Sequence, residues 1–166
     1  MSRTLLFVCT GNTCRSYMAE AVAKHYLGSR QADQEEIRII SAGTWAVDND
    51  LPTAEAAAAI SELGIDLPEH RSRRLTPDLI GEADLILTMT NRQKSEVLYL
   101  APEAGSKVFR LKEYACQEGQ RECPDPNGLD IADPFGKPLE YYRACAAELR
   151  AFIPAALERF LNGLNK

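Results

Sequence analysis

The chain has 166 residues, of which 45% are hydrophobic and 26% charged, and its formal net charge at pH 7 is −5. This length supports one substantial core, so we expect a single domain over residues 1–166. The acidic balance provides no basic stripe for nucleic acid, and no apolar run approaches the roughly 20 residues of a membrane-spanning helix. Because no signal-peptide pattern opens the chain, we expect a cytoplasmic protein without nucleic-acid or membrane partners.

Short apolar runs alternate with helical patterns along the chain. The continuous run from Leu5 to Cys9 predicts a strand covered on both faces, and an apolar stripe between Ser16 and Leu27 predicts the helix after it. The remaining predicted elements are a strand at 37–42, a helix at 52–63, a strand at 84–90, a helix at 92–100, a strand at 107–111 and a long helix at 140–163. Between Cys116 and Pro138, a composition rich in Gly, Pro, Asp and Asn predicts a long loop of the kind that is often functional.

This alternation predicts a parallel sheet with helices on both of its faces. In such sheets, ligands bind beyond the carboxyl ends of the strands. The stretch CTGNTCRS, residues 9–16, follows the first predicted strand and precedes the first predicted helix. The sequence therefore predicts a functional site in this loop.

The residue types of this loop are suited to binding an anion. Backbone N–H groups that point inward, together with the start of the following helix, form an anion cradle, and the planar fork of Arg15 can bind two phosphate oxygens at once. The same positive field favours the thiolate form of Cys9, a nucleophile that Ser16 can hydrogen-bond. Gly11 and Asn12 tolerate the positive φ angles of a tight loop. The alternative is an inert buried cysteine beside an ordinary turn.

A second group, a proton donor, is expected on a mobile loop. Two Asp-Pro pairs qualify, Asp125-Pro126 and Asp133-Pro134. Asn127 and Gly128 directly after the first pair are ordinary turn residues, so Asp133 is the better candidate. A nucleotide-binding loop is disfavoured because no Gly-Lys-Ser or Gly-Lys-Thr follows Gly11.

The cysteine pattern argues against a metal site. There is no C-x-x-C pair, and an odd number of cysteines fits reduced thiols better than a disulfide framework. The cysteines and histidines that could act as metal ligands are Cys9, Cys14, Cys116, Cys123, Cys145, His25 and His70. We therefore expect no metal and no cofactor.

These motifs together resemble the low-molecular-weight protein tyrosine phosphatases. The match covers the phosphate loop at 9–16, Ser41 to Gly43 at the end of the second strand, His70 to Ser72, and the acid loop at Asp133-Pro134, in the family's order. The resemblance implies a three-layer α/β/α sandwich, flavodoxin-like, with a four-stranded parallel sheet in the order 2-1-3-4. It also implies phosphorylated protein substrates, and we expect a monomer.

The resemblance assigns roles to individual residues. Cys9 is the nucleophile, Arg15 binds the phosphoryl group and stabilises the transition state, and Asp133 is the general acid and then the base. The residues expected to bind phosphate are Thr10, Gly11, Asn12, Thr13, Cys14, Arg15 and Ser16, and those expected to support the loop are Asn12, Ser16 and His70. Cys14 has two open interpretations: a redox partner that protects Cys9 by a reversible disulfide, or a small buried side chain.

Thr13 and Phe135 depart from the pattern of the phosphotyrosine enzymes, which carry an aliphatic residue and a tyrosine there. At both positions the chain resembles instead the subgroup that hydrolyses phosphoarginine in proteins. Thr13 and Phe135 are therefore the residues that we expect to determine substrate specificity. Tyr17 also departs, because it replaces a proline. The alternative substrate is phosphotyrosine.

Two further functions fit parts of the sequence. A thioredoxin-coupled arsenate reductase shares this fold and loop, and Cys116 and Cys123 have the six-residue separation such enzymes use. In that family, however, the pair begins at the end of the third strand, where this chain has Met89 and Thr90. A phosphate-binding module without turnover is disfavoured because both a nucleophile and an acid are present.

Overall fold

The structure, a computed structural model, describes residues 2–30, 37–66, 69–116 and 128–163. The strands of its sheet are β1 (Arg3–Cys9), β2 (Ile37–Gly43), β3 (Leu85–Thr88) and β4 (Val108–Arg110). They are parallel and lie in the order β2-β1-β3-β4. The helices are α1 (Arg15–Gly28), α2 (Ala54–Glu62), α3 (Pro77–Glu82), α4 (Asn91–Leu100), α5 (Leu111–Cys116) and α6 (Leu139–Asn162), with a 3₁₀ helix at Pro102–Lys107. The predicted fold class and strand order are confirmed.

Successive side chains of β1 point to opposite faces of the sheet and so enter two separate cores. Leu5 and Phe7 pack in the larger core with residues of α1, α2, α5 and α6. Leu6 and Val8 pack in the smaller core with residues of α3 and α4. Burial of both faces explains why β1 is a continuous apolar run rather than an alternating one. The three layers place the end of β1, and Cys9 with it, near the middle of the carboxyl edge of the sheet.

Threonine caps fix where two helices beside this edge begin. Thr53 precedes α2, and its side chain accepts a hydrogen bond from Ala56 N. Thr90 precedes α4 and forms a capping box with Gln93. Each cap satisfies backbone donors that a helix start leaves without partners.

Some predicted boundaries were wrong. The strand predicted at 107–111 ends at Arg110, because Leu111 already begins α5. The strand predicted at 84–90 is shorter at both ends, since Thr90 serves as the cap of α4. Helix α3 was not predicted, although the cap Thr76 and a proline in the first turn are ordinary start signals. Of the loop predicted at 116–138, residue Cys116 belongs to α5, and residues 117–127 lie outside the described residues.

Candidate active site

The loop between β1 and α1 is held against the end of β2. Thr44 N and Trp45 N donate hydrogen bonds to the carbonyl groups of Cys9 and Thr10, at 2.9 and 3.0 Å. A Cβ placed on Gly43 would lie 2.4 Å from Thr10 O and 2.9 Å from Asn12 N. Only a glycine at the end of β2 allows the loop to pack this closely.

Asn12 is the central residue of the loop. Its φ is 58°, a left-handed conformation that asparagine tolerates better than most residues. Its side-chain amide donates to Ser16 Oγ at 2.8 Å and to Ser41 Oγ at 2.9 Å, and its Oδ1 accepts from Arg73 N at 2.9 Å. His70 Nε2 donates to the Asn12 carbonyl at 2.8 Å. These bonds fix the loop to β2 and to the segment after α2.

Two donors surround the Cys9 sulfur. Ser16 Oγ lies 2.9 Å from Cys9 Sγ, and Asn12 N donates to the same sulfur at 3.2 Å. Because Ser16 Oγ already accepts a bond from Asn12, its own proton is available to the sulfur. Two hydrogen-bond donors of the same loop therefore hold the sulfur in place.

Arg15 connects the loop to the segment that carries Asp133. The guanidinium is buried; its Nη1 donates to Ile131 O at 3.0 Å, and its Nη2 lies 3.5 Å from Asp133 Oδ2. Ile131 N donates to Met89 O at 2.8 Å, which fixes this segment to the end of β3. Phe135 N donates to Asp133 Oδ1 at 3.1 Å, so the carboxylate is oriented from both sides.

A cleft of about 190 Å³ opens between these groups. Most of the residues singled out in the sequence lie on its wall: Cys9, Thr10, Gly11, Thr13, Cys14, Arg15, Asp133 and Phe135. Asn12, Ser16 and His70 do not line the cleft: Asn12 and Ser16 are fully buried within the loop, and His70 bonds to the Asn12 carbonyl. The structure therefore brings together a sulfur nucleophile, a fixed cation and a carboxyl group around a space that suits a phosphoryl group.

Two other thiols near the cleft, those of Cys14 and Cys145, are buried. Burial raises the pKa of Cys14, although hydrogen bonds from Thr53 and Thr13 lower it in part. Burial raises the pKa of Cys145 to about 12. Cys9 and Cys14 are both free thiols in the structure, so the disulfide between them stays a prediction.

Among residues 2–30, 37–66, 69–116 and 128–163, no cluster of His, Cys, Asp and Glu could hold a metal ion. In those same ranges, no helix has the length and apolar character needed to cross a bilayer. Cys123 and Asp125, weighed as a redox partner and as an acid, lie outside the described residues.

A cysteine and an arginine on one anion-binding loop, facing a carboxyl group, define a phosphatase of the cysteine-nucleophile class. The family profile described as low molecular weight phosphotyrosine protein phosphatase matches residues 4–166, and the chain belongs to that family.

Individual relatives agree with this assignment. The chain is 38% identical to a protein-arginine-phosphatase of Geobacillus stearothermophilus, over 96% of this chain and 97% of that one. It is 34% identical to a probable low molecular weight protein-tyrosine-phosphatase, EpsP, of Ralstonia nicotianae, over 96% and 97% of the two chains. The solved structure of the YwlE arginine phosphatase from Geobacillus stearothermophilus superimposes with a TM-score of 0.81 at 35% identity, covering 97% of this chain and 94% of that one.

Proposed function

We propose that this chain is a protein phosphatase that hydrolyses phosphoarginine through a cysteinyl-phosphate intermediate. The observation that carries the substrate preference is the position of Thr13, which lines the same cleft as Asp133 and Phe135. The relatives named as protein-arginine-phosphatases support the same preference.

In the first step, the Cys9 thiolate attacks phosphorus while the bond from phosphorus to the guanidine nitrogen breaks. Asp133 gives its proton to that nitrogen, so the leaving group departs as a neutral guanidine that takes up a further proton from water. Arg15 and the N–H groups of the loop bind the phosphoryl oxygens as charge develops on them. Asp133 matters more here than for a phenol, because a guanidine is too basic to leave without a proton.

In the second step, water attacks the cysteinyl-phosphate. Asp133, now ionised, takes a proton from that water, and the bond between sulfur and phosphorus breaks. Inorganic phosphate leaves, and the thiolate of Cys9 returns with the contact from Ser16 that stabilises it. The cycle consumes water only and requires no thiol reductant.

In this proposal, Thr13 is the residue that distinguishes phosphoarginine from phosphotyrosine. Thr13 lines the cleft, and its Oγ1 lies 3.5 Å from where a Cβ on Gly11 would stand and 3.8 Å from Cys14 Sγ. A phosphorylated guanidine carries N–H groups around its rim that can donate a hydrogen bond to this hydroxyl, whereas a phenyl ring has none. Exposed Phe135 provides a flat apolar wall for either group.

The test uses one peptide sequence that carries either phosphoarginine or phosphotyrosine. The wild type should have the higher kcat/KM on phosphoarginine. Thr13→Val keeps the branched shape and removes the hydroxyl, and it should lower this preference about tenfold or more, since one such contact is worth about 1–3 kcal/mol. Thr13→Ser keeps the hydroxyl and should keep the preference. A wild type that prefers phosphotyrosine, or a preference unchanged in Thr13→Val, refutes the proposal.

Arsenate reduction is not favoured. One relative, an arsenate reductase of Bacillus licheniformis, is 32% identical over 72% of this chain. The end of β3, where that activity needs its cysteine, has Met89 and Thr90. A requirement for thioredoxin during phosphate release would contradict our proposal.

A further inference from the structure

A second depression lies beside the cleft and has about 420 Å³ of space. It runs between α4, the segment after β2 and the segment after α2, and we call it the aromatic groove. Its principal lining residues are Trp45, Arg74, Leu75, Arg92, Tyr99 and Leu100. None of them has a role in the chemistry described above.

The aromatic groove exposes side chains that a protein interior would normally cover. Trp45 is 62% exposed and Tyr99 is 87% exposed, and Leu100 beside Tyr99 is exposed as well. Exposed aromatic side chains that lie close together indicate a surface that binds a ligand or another protein. Tryptophan and tyrosine are also the residue types enriched at the energetic centres of protein interfaces.

The aromatic groove and the catalytic cleft share a wall at Thr10. Thr10 lines the cleft, and its carbonyl accepts the hydrogen bond from Trp45 N at 3.0 Å. Its hydroxyl accepts a bond of 3.2 Å from Gln93 Nε2, and Arg92 directly before that glutamine lines the aromatic groove. A molecule bound in the cleft therefore has the aromatic groove next to it.

The aromatic groove is lined by two arginines, Arg74 and Arg92, and by one carboxylate, that of Glu96. The guanidinium of Arg74 stacks 5.4 Å from the centre of the Trp45 ring. Within the described ranges, no carboxylate lies within ion-pair distance of Arg74, whereas Arg92 is paired with Glu96 at 3.2 Å. Arg74 is thus available to an acidic group on a bound partner.

We propose that the aromatic groove binds the polypeptide that flanks the phosphorylated residue of a protein substrate. It takes a large apolar side chain two to four residues from that residue, and Arg74 pairs with an acidic residue near it. An extended chain advances about 3.3 Å per residue, so three residues span about 10 Å, enough to pass over Thr10. The inference deepens the proposed function and rests on it.

The test compares long and short substrates. One series of phosphoarginine peptides carries a Trp at each position two to four residues to either side, and a matched series carries Ala; free phosphoarginine is the short substrate. At one or more positions, Trp should raise the kcat/KM of the wild type at least fivefold. Tyr99→Ser should abolish this gain and leave hydrolysis of free phosphoarginine unchanged. Its thermal midpoint should match that of the wild type, because Tyr99 is almost fully exposed.

The role of the Arg74 charge is tested with a matched pair of variants. Arg74→Gln should remove the gain from an Asp placed next to the Trp. Arg150→Gln, on the exposed side of α6 at the opposite face of the sheet, should retain it. Equal effects of the two variants would refute the role of Arg74.

Three outcomes would overturn the proposal. The first is no gain from Trp at any position, and the second is a Tyr99→Ser variant that loses as much activity on free phosphoarginine as on the Trp peptides. The third is a wild-type dimer that Tyr99→Ser dissociates, since the occupant of the aromatic groove would then be a second copy of the chain. The same series is made with phosphotyrosine. A preference for phosphotyrosine with the Trp gain intact would refute only the proposed substrate, and a preference for phosphoarginine without the gain would refute only the role of the aromatic groove.

Discussion

Gly43 lies against Thr10 so closely that the two residues leave no room for a side chain. A Cβ on Gly43 would stand 2.4 Å from Thr10 O and 2.8 Å from the Ala46 Cβ. Contacts that short force the backbone to move. The geometry of the phosphate loop therefore depends on a residue that never touches the substrate.

The first prediction concerns this contact. Gly43→Ala should lower kcat/KM at least tenfold on every phosphorylated substrate, because the loop that binds the phosphoryl group must shift. The free energy of unfolding should fall by about 1–3 kcal/mol. Gly81→Ala is the control, since nothing lies within 4 Å of its Cβ position in α3. That variant should keep full activity and be at least as stable as the wild type; equal losses in the two variants would contradict the argument.

The second prediction separates the two roles of Asn12. Asn12→Gly permits the positive φ but removes the bonds to Ser16, Ser41 and Arg73, so it should lower the free energy of unfolding by about 1–3 kcal/mol. Asn12→Ala should cost about 1–2 kcal/mol more, because alanine resists the left-handed conformation. Urea unfolding measures both. If Asn12→Gly is as stable as the wild type, the hydrogen bonds contribute nothing.

The fold could be predicted because its main elements carry strong local signals. β1 is a continuous apolar run, and α6 is long enough to show helical periodicity, whereas α1 is buried on all sides from Arg15 to Ala23. Helices α3 and α5 have six residues each, less than two turns, so periodicity gives no signal there. Two element boundaries were predicted wrongly because Thr90 and Leu111 fit a strand by composition. In the structure, Thr90 caps α4 and Leu111 begins α5.

The candidate site was predictable where it is contiguous in the sequence. Residues 9–16 carry the nucleophile, the cation and the loop between them within one short stretch. Contacts between distant segments left no such signal: the bond from Arg15 to Ile131 O joins residues 116 positions apart. The exposure of Trp45 was equally undetermined, since a lone tryptophan fits a core as well as a rim.

The third prediction concerns Lys112, a buried cation that the sequence did not identify as a support of the acid loop. Its Nζ donates to Gly128 O at 3.1 Å and Asp130 O at 3.4 Å, and it is ion-paired with Glu148. These bonds position the backbone that leads to Asp133. Lys112→Met should therefore lower kcat about tenfold on phosphoarginine peptides with little change in KM, since proton transfer depends on the position of the acid.

A matched control exists for this variant. Lys107 Nζ also donates to two backbone carbonyls, those of Ile80 and Ala83, both at 2.7 Å, but far from the cleft. Both Lys107→Met and Lys112→Met should lower the free energy of unfolding, but Lys107→Met should leave kcat unchanged. If both variants lose kcat equally, Lys112 contributes stability alone and does not position Asp133.

The fourth prediction concerns Cys145 on the buried face of α6. Burial raises the pKa of its thiol from 9.0 to about 12, so between these values the unfolded chain releases a proton that the folded chain keeps. Stability is therefore intact below pH 9 and decreases by about 1.4 kcal/mol per pH unit above it. Cys145→Ala should remove this part of the pH dependence, so that between pH 8 and pH 10.5 its free energy of unfolding in urea falls less than that of the wild type by about 2 kcal/mol. Parallel curves for the two proteins would show that the thiol ionises equally in the folded and unfolded chains.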